Sequence, residues 1–288
     1  MLGNDVSAAA AGEWTLGDAT VRRIGFGAMR LTAKADGSPS DRDTAVGVLH
    51  RARELGVNHV DTAAFYFSAQ RSANELINRA LAPYPDDLVV ATKVGPGRDP
   101  SGGWLPLARP DQLRGQVEEN LRQLGRDHLD VVNLRQAGLD SIAEHFGALA
   151  ELRAAGLIRH LGLSNVRPEH LEQALEIAPV VCVQNQYGLH QRRSAALLRR
   201  CGELGIAFVP FFAITGEGRE GGGVADDAAA REIADGHGVT PAQVRLAWTL
   251  HQGPHVLAIP GTGNPDHLAQ NVAAGALRLS EADLARLG

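Results

Sequence analysis

Hydrophobic and polar positions repeat in one rhythm along most of the chain. A short apolar run rich in β-branched residues is followed by a turn and then by a stretch with apolar residues at helical spacing. Eight apolar runs occur, at 24–28, 57–61, 88–93, 129–134, 158–163, 180–184, 206–210 and 256–259. Helical stretches follow near 41–55, 71–81, 110–124, 140–155, 168–177, 191–204, 226–236 with 240–252, and 265–274. A hairpin is predicted at 13–23, with its turn at Gly17 and Asp18.

This alternation predicts parallel strands joined by helical, right-handed crossovers. The apolar runs predict strands that are buried on both faces. Eight such units can close into a TIM barrel or form an open doubly wound sheet, and the even spacing without a break favours the barrel. We therefore predict an α/β fold: a single (β/α)8 TIM barrel with an N-terminal β-hairpin and a C-terminal helix. Residues 1–12 are expected to be a flexible tail, and residues 13–288 the barrel domain.

Composition narrows the class of partner. Lys and Arg number 28 against 33 Asp and Glu, a net charge of −5 without a basic stripe, so neither nucleic acid nor an anionic membrane is an expected partner. No apolar stretch approaches the ~20 residues of a membrane span, and the first residues lack the features of a secretory signal. A cytoplasmic protein is expected. The histidines form no HxxxH or HExxH helix pair and the two cysteines have no metal-ligand spacing, so no metal site is predicted.

Polar side chains stand at the carboxyl ends of several predicted strands, where a TIM barrel builds its active site. Lys93 ends an apolar strand and would be costly at the barrel mouth without a carboxylate, which Asp61 supplies from the neighbouring strand. Tyr66, five residues further on, can reach the same place. An ammonium group beside a phenol stabilises the phenolate and makes the phenol a stronger acid. Taken singly, each residue also fits a structural role as a cap, a packing residue or a solvated lysine.

Four short motifs, in order and at family spacing, resemble the aldo-keto reductases. They read DTAAFY at 61–66, TK at 92–93, GLSN at 162–165 and IPGT at 259–262. The resemblance runs from about residue 24 to the C-terminal helix. It implies a barrel that binds NADPH across its mouth and reduces an aldehyde or ketone to an alcohol. In that family pattern Tyr66 is the general acid, Lys93 strengthens it and Asp61 holds Lys93.

The resemblance also implies a cofactor site. Ser164, Asn165 and Gln184 would hold the nicotinamide carboxamide, and the ring would stack on Phe211. The loop after the seventh strand would meet the pyrophosphate, and Phe212 is a candidate residue of the cofactor site and of the substrate pocket wall. The backbone of Gly27, Ala28 and Met29 would line the nicotinamide side. The adenosine end would meet Gly261, Thr262, Gly263, Asn264, His267 and Asn271.

Two departures from the family pattern bear on function. Arg135 stands where the family usually has His; it cannot shuttle a proton, but it can donate hydrogen bonds to a carbonyl oxygen. We predict that it acts as this electrophilic donor, the alternative being an ion pair with a loop carboxylate. Gly261 and His267 stand where many members have Lys and Arg for the 2′-phosphate, with Arg219 as another possible partner, so NADH is not excluded.

Further segments resemble the bacterial pyridoxal reductases within that family: GFGAM at 25–29, LDVVNLR at 129–135, VCVQN at 181–185 and VPFF at 209–212. That branch implies reduction of pyridoxal to pyridoxine. Phe67 departs from it, because a Gly is usual there. The candidate walls of the substrate pocket are Phe65, Phe67, Trp104 and Tyr187.

Other functions remain open at this point. The same fold and cofactor site would suit a non-catalytic, NADP-binding redox-sensing subunit, or a reductase of another carbonyl or of a C=N bond. A barrel hydrolase built on Asp61 lacks a second carboxylate at a strand end. The GxGxxG match at 216–221 is interpreted as a loop, because no βαβ context of the dinucleotide type accompanies it.

Overall fold

The structure is a computed structural model that describes residues 6–34, 37–211, 213 and 227–288. An antiparallel hairpin, β1 (Glu13–Leu16) and β2 (Ala19–Arg22), precedes a parallel sheet. The sheet runs in chain order through β3 (Phe26–Gly27), β4 (His59–Asp61), β5 (Val89–Val94), β6 (Leu129–Arg135), β7 (Ile158–Ser164), β8 (Val180–Gln184) and β9 (Ala207–Phe208).

Helices alternate with these strands. In chain order they are α1 (Arg42–Glu54), α2 (Ala73–Leu81), α3 (Leu113–Leu124), α4 (Ala143–Ala154), α5 (Pro168–Leu175), α6 (Ala195–Leu204), α7 (Ala228–His237), α8 (Pro241–His251), α9 (Pro265–Ala273) and α10 (Glu281–Leu287). The helix ends have the expected chemistry. Asp41 caps α1 by accepting from the Thr44 amide, and Gly125 and Gly205 end α3 and α6 in the left-handed conformation.

The sheet closes on itself through the segment 256–260. Single parallel bridges join Val256 to Phe208 of β9 and Ala258 to Ile24, just before β3. On the β9 side the Leu257 amide donates to the Phe208 carbonyl at 2.9 Å, and on the β3 side the Gly25 amide donates to the Ala258 carbonyl at 2.8 Å. Seven regular parallel strands and this closing segment therefore form the predicted α/β barrel.

Two apolar clusters stabilise the barrel. The larger one lies between the strands and the surrounding helices. The smaller one fills the barrel interior, where Val131, Ala207 and Leu257 pack with Leu16 and Val21 of the hairpin. Because Val89 at the start of β5 belongs to the same cluster, the hairpin closes the end of the barrel opposite the strand carboxyl ends. The carboxyl ends of the strands are left open for a functional site.

The N-terminal segment differs from the expected flexible tail over its described part. Residues Ala8–Ala11 form a 3₁₀ helix, Ala8 and Ala11 are buried in the core, and the Ala8 amide donates to the Leu55 carbonyl at 2.8 Å. Small alanine side chains let this backbone approach the helix layer closely, which composition alone does not reveal. Residues 1–5 lie outside the described residues. Within the described ranges, every helix is too short or too polar to cross a bilayer.

Candidate active site

A buried ion pair lies where β4 and β5 end. Lys93 Nζ contacts Asp61 Oδ1 at 2.6 Å and Oδ2 at 2.8 Å, and the two residues are 2% and 4% exposed. Asp61 pairs in register with Ala91, so Lys93 stands two residues further along β5 on the same face. That offset lets the longer lysine side chain reach back over the carboxylate. Burial alone would lower the pKa of Lys93, but attraction to Asp61 and Tyr66 outweighs it and raises that pKa above its usual value of 10.5.

Tyr66 joins this pair from the loop between β4 and α2. The Tyr66 amide donates to the Ala63 carbonyl, and the Ala73 amide donates to the Tyr66 carbonyl, both at 2.9 Å. These two bonds hold the Tyr66 backbone. Lys93 Nζ lies 4.8 Å from the centre of the Tyr66 ring, and Phe65 packs edge-on against that ring at 5.2 Å. The structure therefore brings Asp61, Tyr66 and Lys93 together, as the residue types at these strand ends suggested.

Gln184 and Ser164 extend the cluster from β8 and β7. Gln184 Nε2 donates to Asp61 Oδ2 at 2.8 Å, and Gln184 pairs in register with Ser164. Both side chains are at least 98% buried, yet Gln184 Oε1 and Ser164 Oγ have no hydrogen-bond partner among the described residues. Buried polar atoms are normally satisfied, so these two point to a polar ligand group such as a carboxamide. The residues present therefore fit the nicotinamide end of a dinucleotide.

Asn165 adjoins this group but is tied to the protein. Its Nδ2 donates to the Gln136 carbonyl at 3.1 Å and its amide to the Gln184 carbonyl at 3.0 Å. Asn165 has φ +58°, a left-handed conformation that Asn tolerates better than most residues. The strained backbone turns the chain sharply at the carboxyl end of β7.

Packing requires two of the three glycines predicted for the cofactor site. A Cβ on Gly27 would lie 2.6 Å from the Ile259 carbonyl oxygen, and one on Gly261 would overlap the Gly27 carbonyl oxygen. Gly27 and Gly261 therefore allow β3 and the closing segment to meet. Ala28 and Met29 begin the 3₁₀ helix Ala28–Leu31 that follows β3.

The predicted adenosine-end residues gather around the start of α9. Asn264 caps this helix by accepting from the amides of Asp266 and His267, and its own amide donates to Thr262 Oγ1 at 3.0 Å. Gly263 and His267 are exposed, whereas Asn271 is buried one turn further on. The positive end of the α9 dipole lies beside His267, a location that favours an anionic group.

Aromatic side chains and two arginines lie around the opening near Tyr66. The Arg135 guanidinium carbon lies 5.9 Å from the centre of the Phe65 ring and 6.0 Å from that of Phe211. Trp104, half exposed, packs edge-on against Phe65 at 5.7 Å. Arg98 lies over Phe67 at 5.3 Å and over Trp104 at 5.6 Å. A cavity of about 270 Å³ opens here, lined by Pro96, Trp104, Leu105, Leu107, Arg135, Gln136, Ala137 and Asn165.

One predicted pocket residue is elsewhere. Tyr187 is buried, stacks on Trp248 of α8, packs edge-on against Phe208 and donates its hydroxyl to Gln252 Oε1 at 3.2 Å. It belongs to the helix layer, so the prediction of Tyr187 as a pocket wall is wrong. Phe212, Arg219 and the GxGxxG match lie outside the described residues.

The sequence analysis missed the segment between β5 and α3. Pro96, Leu105 and Leu107 line the cavity with Trp104, the one residue of this segment that was singled out. Two signals were available: the connection from 95 to 109 is long for a βα loop, and it carries two adjacent large apolar residues, Trp104 and Leu105. Both are 50% exposed, which is unusual for such side chains away from a binding surface.

Over the described ranges, no group of three or more His, Cys, Asp or Glu side chains is arranged to hold a metal ion.

Comparison with known proteins is consistent with this geometry. The model of the aldo/keto reductase family matches residues 23–288. Pyridoxine 4-dehydrogenase of Escherichia coli is 43% identical over 95% of this chain and 96% of its own. An uncharacterised oxidoreductase of Schizosaccharomyces pombe is 35% identical over 98% of this chain and 90% of its own.

Solved structures agree. An aldo/keto reductase from Klebsiella pneumoniae, crystallised with NADP and acetate, superposes with a TM-score of 0.79 at 27% identity, covering 96% of this chain and 93% of its own. The thermostable aldo-keto reductase Tm1743 superposes with a TM-score of 0.77 at 29% identity, covering 96% and 98%. The family match spans nearly the whole barrel, including every strand end described above. The chain therefore belongs to the aldo/keto reductase family of oxidoreductases.

Proposed function

We propose that this protein uses NADPH to reduce an aromatic aldehyde to its alcohol, with pyridoxal as the first substrate to test. The observation that carries the proposal is the buried chain of Gln184, Asp61 and Lys93 beneath the Tyr66 ring. It places a fixed cation beside a phenol at the open end of the barrel. That arrangement suits proton donation to a carbonyl oxygen.

Bound NADPH would supply the hydride for this reduction. Ser164 Oγ and Gln184 Oε1 are the buried atoms suited to hold the nicotinamide carboxamide. Phe211, whose amide donates to the Asn185 carbonyl at 3.1 Å, offers a ring surface just beyond β8. The start of α9, with His267 in its first turn, suits the phosphate on the adenosine ribose. An imidazole at this helix start can donate a hydrogen bond to that phosphate, so we expect a preference for NADPH over NADH.

The chain's own residues would then supply the proton. Tyr66 would give its hydroxyl proton to the carbonyl oxygen as that oxygen gains negative charge. Lys93 makes this easier, because its ammonium group stabilises the phenolate left behind. Asp61 balances the buried charge of Lys93 with two hydrogen bonds, and Gln184 holds the second carboxylate oxygen. The three residues below Tyr66 thus keep a single cation at one distance from the phenol.

Arg135 has a different task in this proposal. An arginine stays charged in proteins and cannot pass a proton, so it would act as a hydrogen-bond donor. Its guanidinium lies near the rings of Phe65 and Phe211 at the edge of the cavity. There it can stabilise negative charge on the carbonyl oxygen or on a neighbouring ring hydroxyl.

The pocket supports a planar, single-ring substrate. Phe65 packs edge-on against both Tyr66 and Trp104, and Trp104 lines the cavity of about 270 Å³, a size of the right order for one substituted ring. Phe65 and Phe67 are not among the residues that line this cavity, and Phe67 lies against Arg98. Pyridoxal combines such a ring with an aldehyde and an acidic hydroxyl. The pyridoxine 4-dehydrogenase relative supports the same choice through its name and its 43% identity.

The test is a panel of aldehydes assayed by loss of nicotinamide absorbance, with pyridoxal, benzaldehyde and methylglyoxal, and with NADPH and NADH in parallel. We expect consumption of NADPH, fastest with an aromatic aldehyde. Binding of NADPH without turnover of any carbonyl would contradict the proposal and favour a redox-sensing subunit. Preference for methylglyoxal would contradict the aromatic substrate only.

We further propose that the protein acts as a monomer, because the strand-end cluster of Gln184, Asp61, Lys93 and Tyr66 is complete within a single barrel. Analytical ultracentrifugation with and without NADPH tests this. A stable dimer with unchanged activity on dilution would contradict it.

A further inference from the structure

A group of buried polar side chains lies on the outer side of the barrel, directly behind the Lys93–Asp61 pair. Thr62, Thr92, Asn74 and Asn120 are all 0% exposed. Thr62 follows Asp61, and Thr92 precedes Lys93. Because side chains alternate along a strand, the threonines face the helices while Asp61 and Lys93 face the barrel interior. Asn74 belongs to α2 and Asn120 to α3.

These side chains form one connected hydrogen-bond network. Thr62 Oγ1 donates to Asn74 Oδ1 at 2.7 Å, and Asn74 Nδ2 donates to Asn120 Oδ1 at 3.0 Å. Thr92 Oγ1 donates to the same Asn120 oxygen at 2.6 Å. Asn120 Nδ2 donates to the Gln116 carbonyl at 2.8 Å. Because the Gln116 carbonyl can only accept, it fixes the orientation of the Asn120 amide. The directions of the bonds to Thr92, Asn74 and Thr62 follow from that orientation.

Such a network specifies one position of α2 and α3 on the ends of β4 and β5. Burying hydroxyl and amide groups in an otherwise apolar layer is unfavourable unless they are hydrogen-bonded. A slide of either helix along the strands would leave several of them without partners, whereas an apolar contact would tolerate it. Fully satisfied buried networks of this kind make a local structure rigid.

Thr62 connects the network to the ion pair. Its carbonyl oxygen accepts from Lys93 Nζ at 2.9 Å, and its amide donates to the Ala91 carbonyl at 2.8 Å. The same residue therefore holds Lys93 through its backbone and α2 through its hydroxyl. Any movement of the Thr62 backbone changes the direction in which the Lys93 ammonium points.

We propose that the Thr62–Asn74–Asn120–Thr92 network positions Lys93 beneath Tyr66, so that residues on α2 and α3 set the acidity of the phenol without touching it. Where turnover is concerned, this inference rests on the proposed function. The four residues are positioning residues, since their side chains act on Tyr66 through the position of Lys93.

The first test needs neither cofactor nor substrate. The chain has three tyrosines, and burial raises the pKa of Tyr84 to about 12 and raises that of Tyr187 as well. Tyrosinate absorbance is titrated in the full-length protein, and the signal of Tyr66 is assigned by subtracting the Tyr66→Phe titration. We expect Thr62→Val and Thr92→Val to move this signal to higher pH, because the Thr62 backbone and the Lys93 ammonium that it holds shift away from the phenol.

Two variants separate positioning from a general loss of stability. Thr62→Ser keeps the hydroxyl and should leave the Tyr66 titration in place. Thr249→Val removes an equally buried hydroxyl, which bonds the Arg245 carbonyl within α8 away from the site, and should also leave it in place. If Thr62→Val melts lower but titrates as Thr249→Val does, the network is merely structural and the inference is overturned.

Turnover gives a second readout. With an accepted aldehyde, we expect Thr62→Val and Thr92→Val to lower kcat by about tenfold to a hundredfold while the KM for NADPH changes little, because small displacements of a catalytic group cost rate rather than cofactor affinity. Thr62→Ser should recover most of kcat, and an equal loss in Thr249→Val would contradict the inference. If the unmodified protein reduces no aldehyde, the proposed function fails, while the titration still decides the network.

Discussion

Removing the ammonium of Lys93 should show what the buried ion pair contributes to the stability of the protein and what it contributes to turnover. Lys93→Met keeps the length of the side chain but leaves the Asp61 carboxylate, 4% exposed, with the bond from Gln184 and without its counter-ion. Removing one partner of a buried pair typically costs about 3–5 kcal/mol of unfolding free energy. At roughly 2–4 °C per kcal/mol, the melting temperature should fall by about 6–20 °C.

The double variant Lys93→Met with Asp61→Asn supplies the control. No charge then remains buried, so we expect it to recover most of the lost stability, with a coupling energy of about 2 kcal/mol or more. Both variants should lack turnover, because neither holds a cation beside Tyr66. Denaturant unfolding at neutral pH measures the stability, and NADPH consumption measures the activity.

The same pair gives a pH dependence of known sign. The pKa of Lys93 is raised in the folded protein, so its stabilising contribution is fully present below pH 10.5 and is lost as pH rises through the folded value. The unmodified protein should therefore lose stability at alkaline pH more steeply than Lys93→Met. A single variant that costs less than about 1 kcal/mol, or a double variant as unstable as the single, would refute the buried-pair reasoning.

Further predictions concern other parts of the molecule. Tyr66→Phe should lower kcat by about 10²- to 10⁴-fold with NADPH binding retained, measured by turnover and by cofactor fluorescence; unchanged kcat would exclude Tyr66 as the acid. Arg135→Leu should depress turnover far more than cofactor affinity, and equal turnover would refute its role as a donor. Burial lowers the pKa of His59 from 6.5 to about 4, so stability should fall by roughly 3 kcal/mol as pH drops from 6.5 to 4, a slope that should flatten in His59→Leu. Gly27→Ala should lower the melting temperature, because its Cβ would lie 2.6 Å from the Ile259 carbonyl oxygen, and cofactor binding measured well below that temperature should persist if the role is packing.

The closing of the barrel shows what the local hydrophobic pattern predicts and what it does not. The run at 256–259 is predicted as a strand from its apolar residues, and the structure places 256–260 between β9 and β3. Yet it pairs there through single bridges, and Gly27 and Gly261 allow its backbone to approach β3 closely. Which of its residues would pair could not be read from periodicity, since pairing depends on a neighbour more than two hundred residues away.

The candidate site divides in the same way. Lys93, Asp61 and Tyr66 could be predicted from the sequence. A charged or phenolic side chain at the carboxyl end of a buried strand is costly to bury in apolar surroundings and is accommodated at the barrel mouth. Tyr187 satisfied the same criterion and is nevertheless in the helix layer, stacked on Trp248. A single aromatic residue after a strand can turn to the mouth or to the helices, and the sequence around it does not distinguish the two.

The sequence by itself determined the alternation of strands and helices, hence the barrel, and the strand ends at which its polar side chains gather, because both follow from side-chain period and from the cost of burying charge. Only the tertiary structure decided that Ala8–Ala11 docks on the helix layer, that two glycines serve the barrel closure, and that Asn74 and Asn120 stand behind the ion pair. These contacts join residues far apart in the chain, and their energy depends on distances that no local pattern encodes.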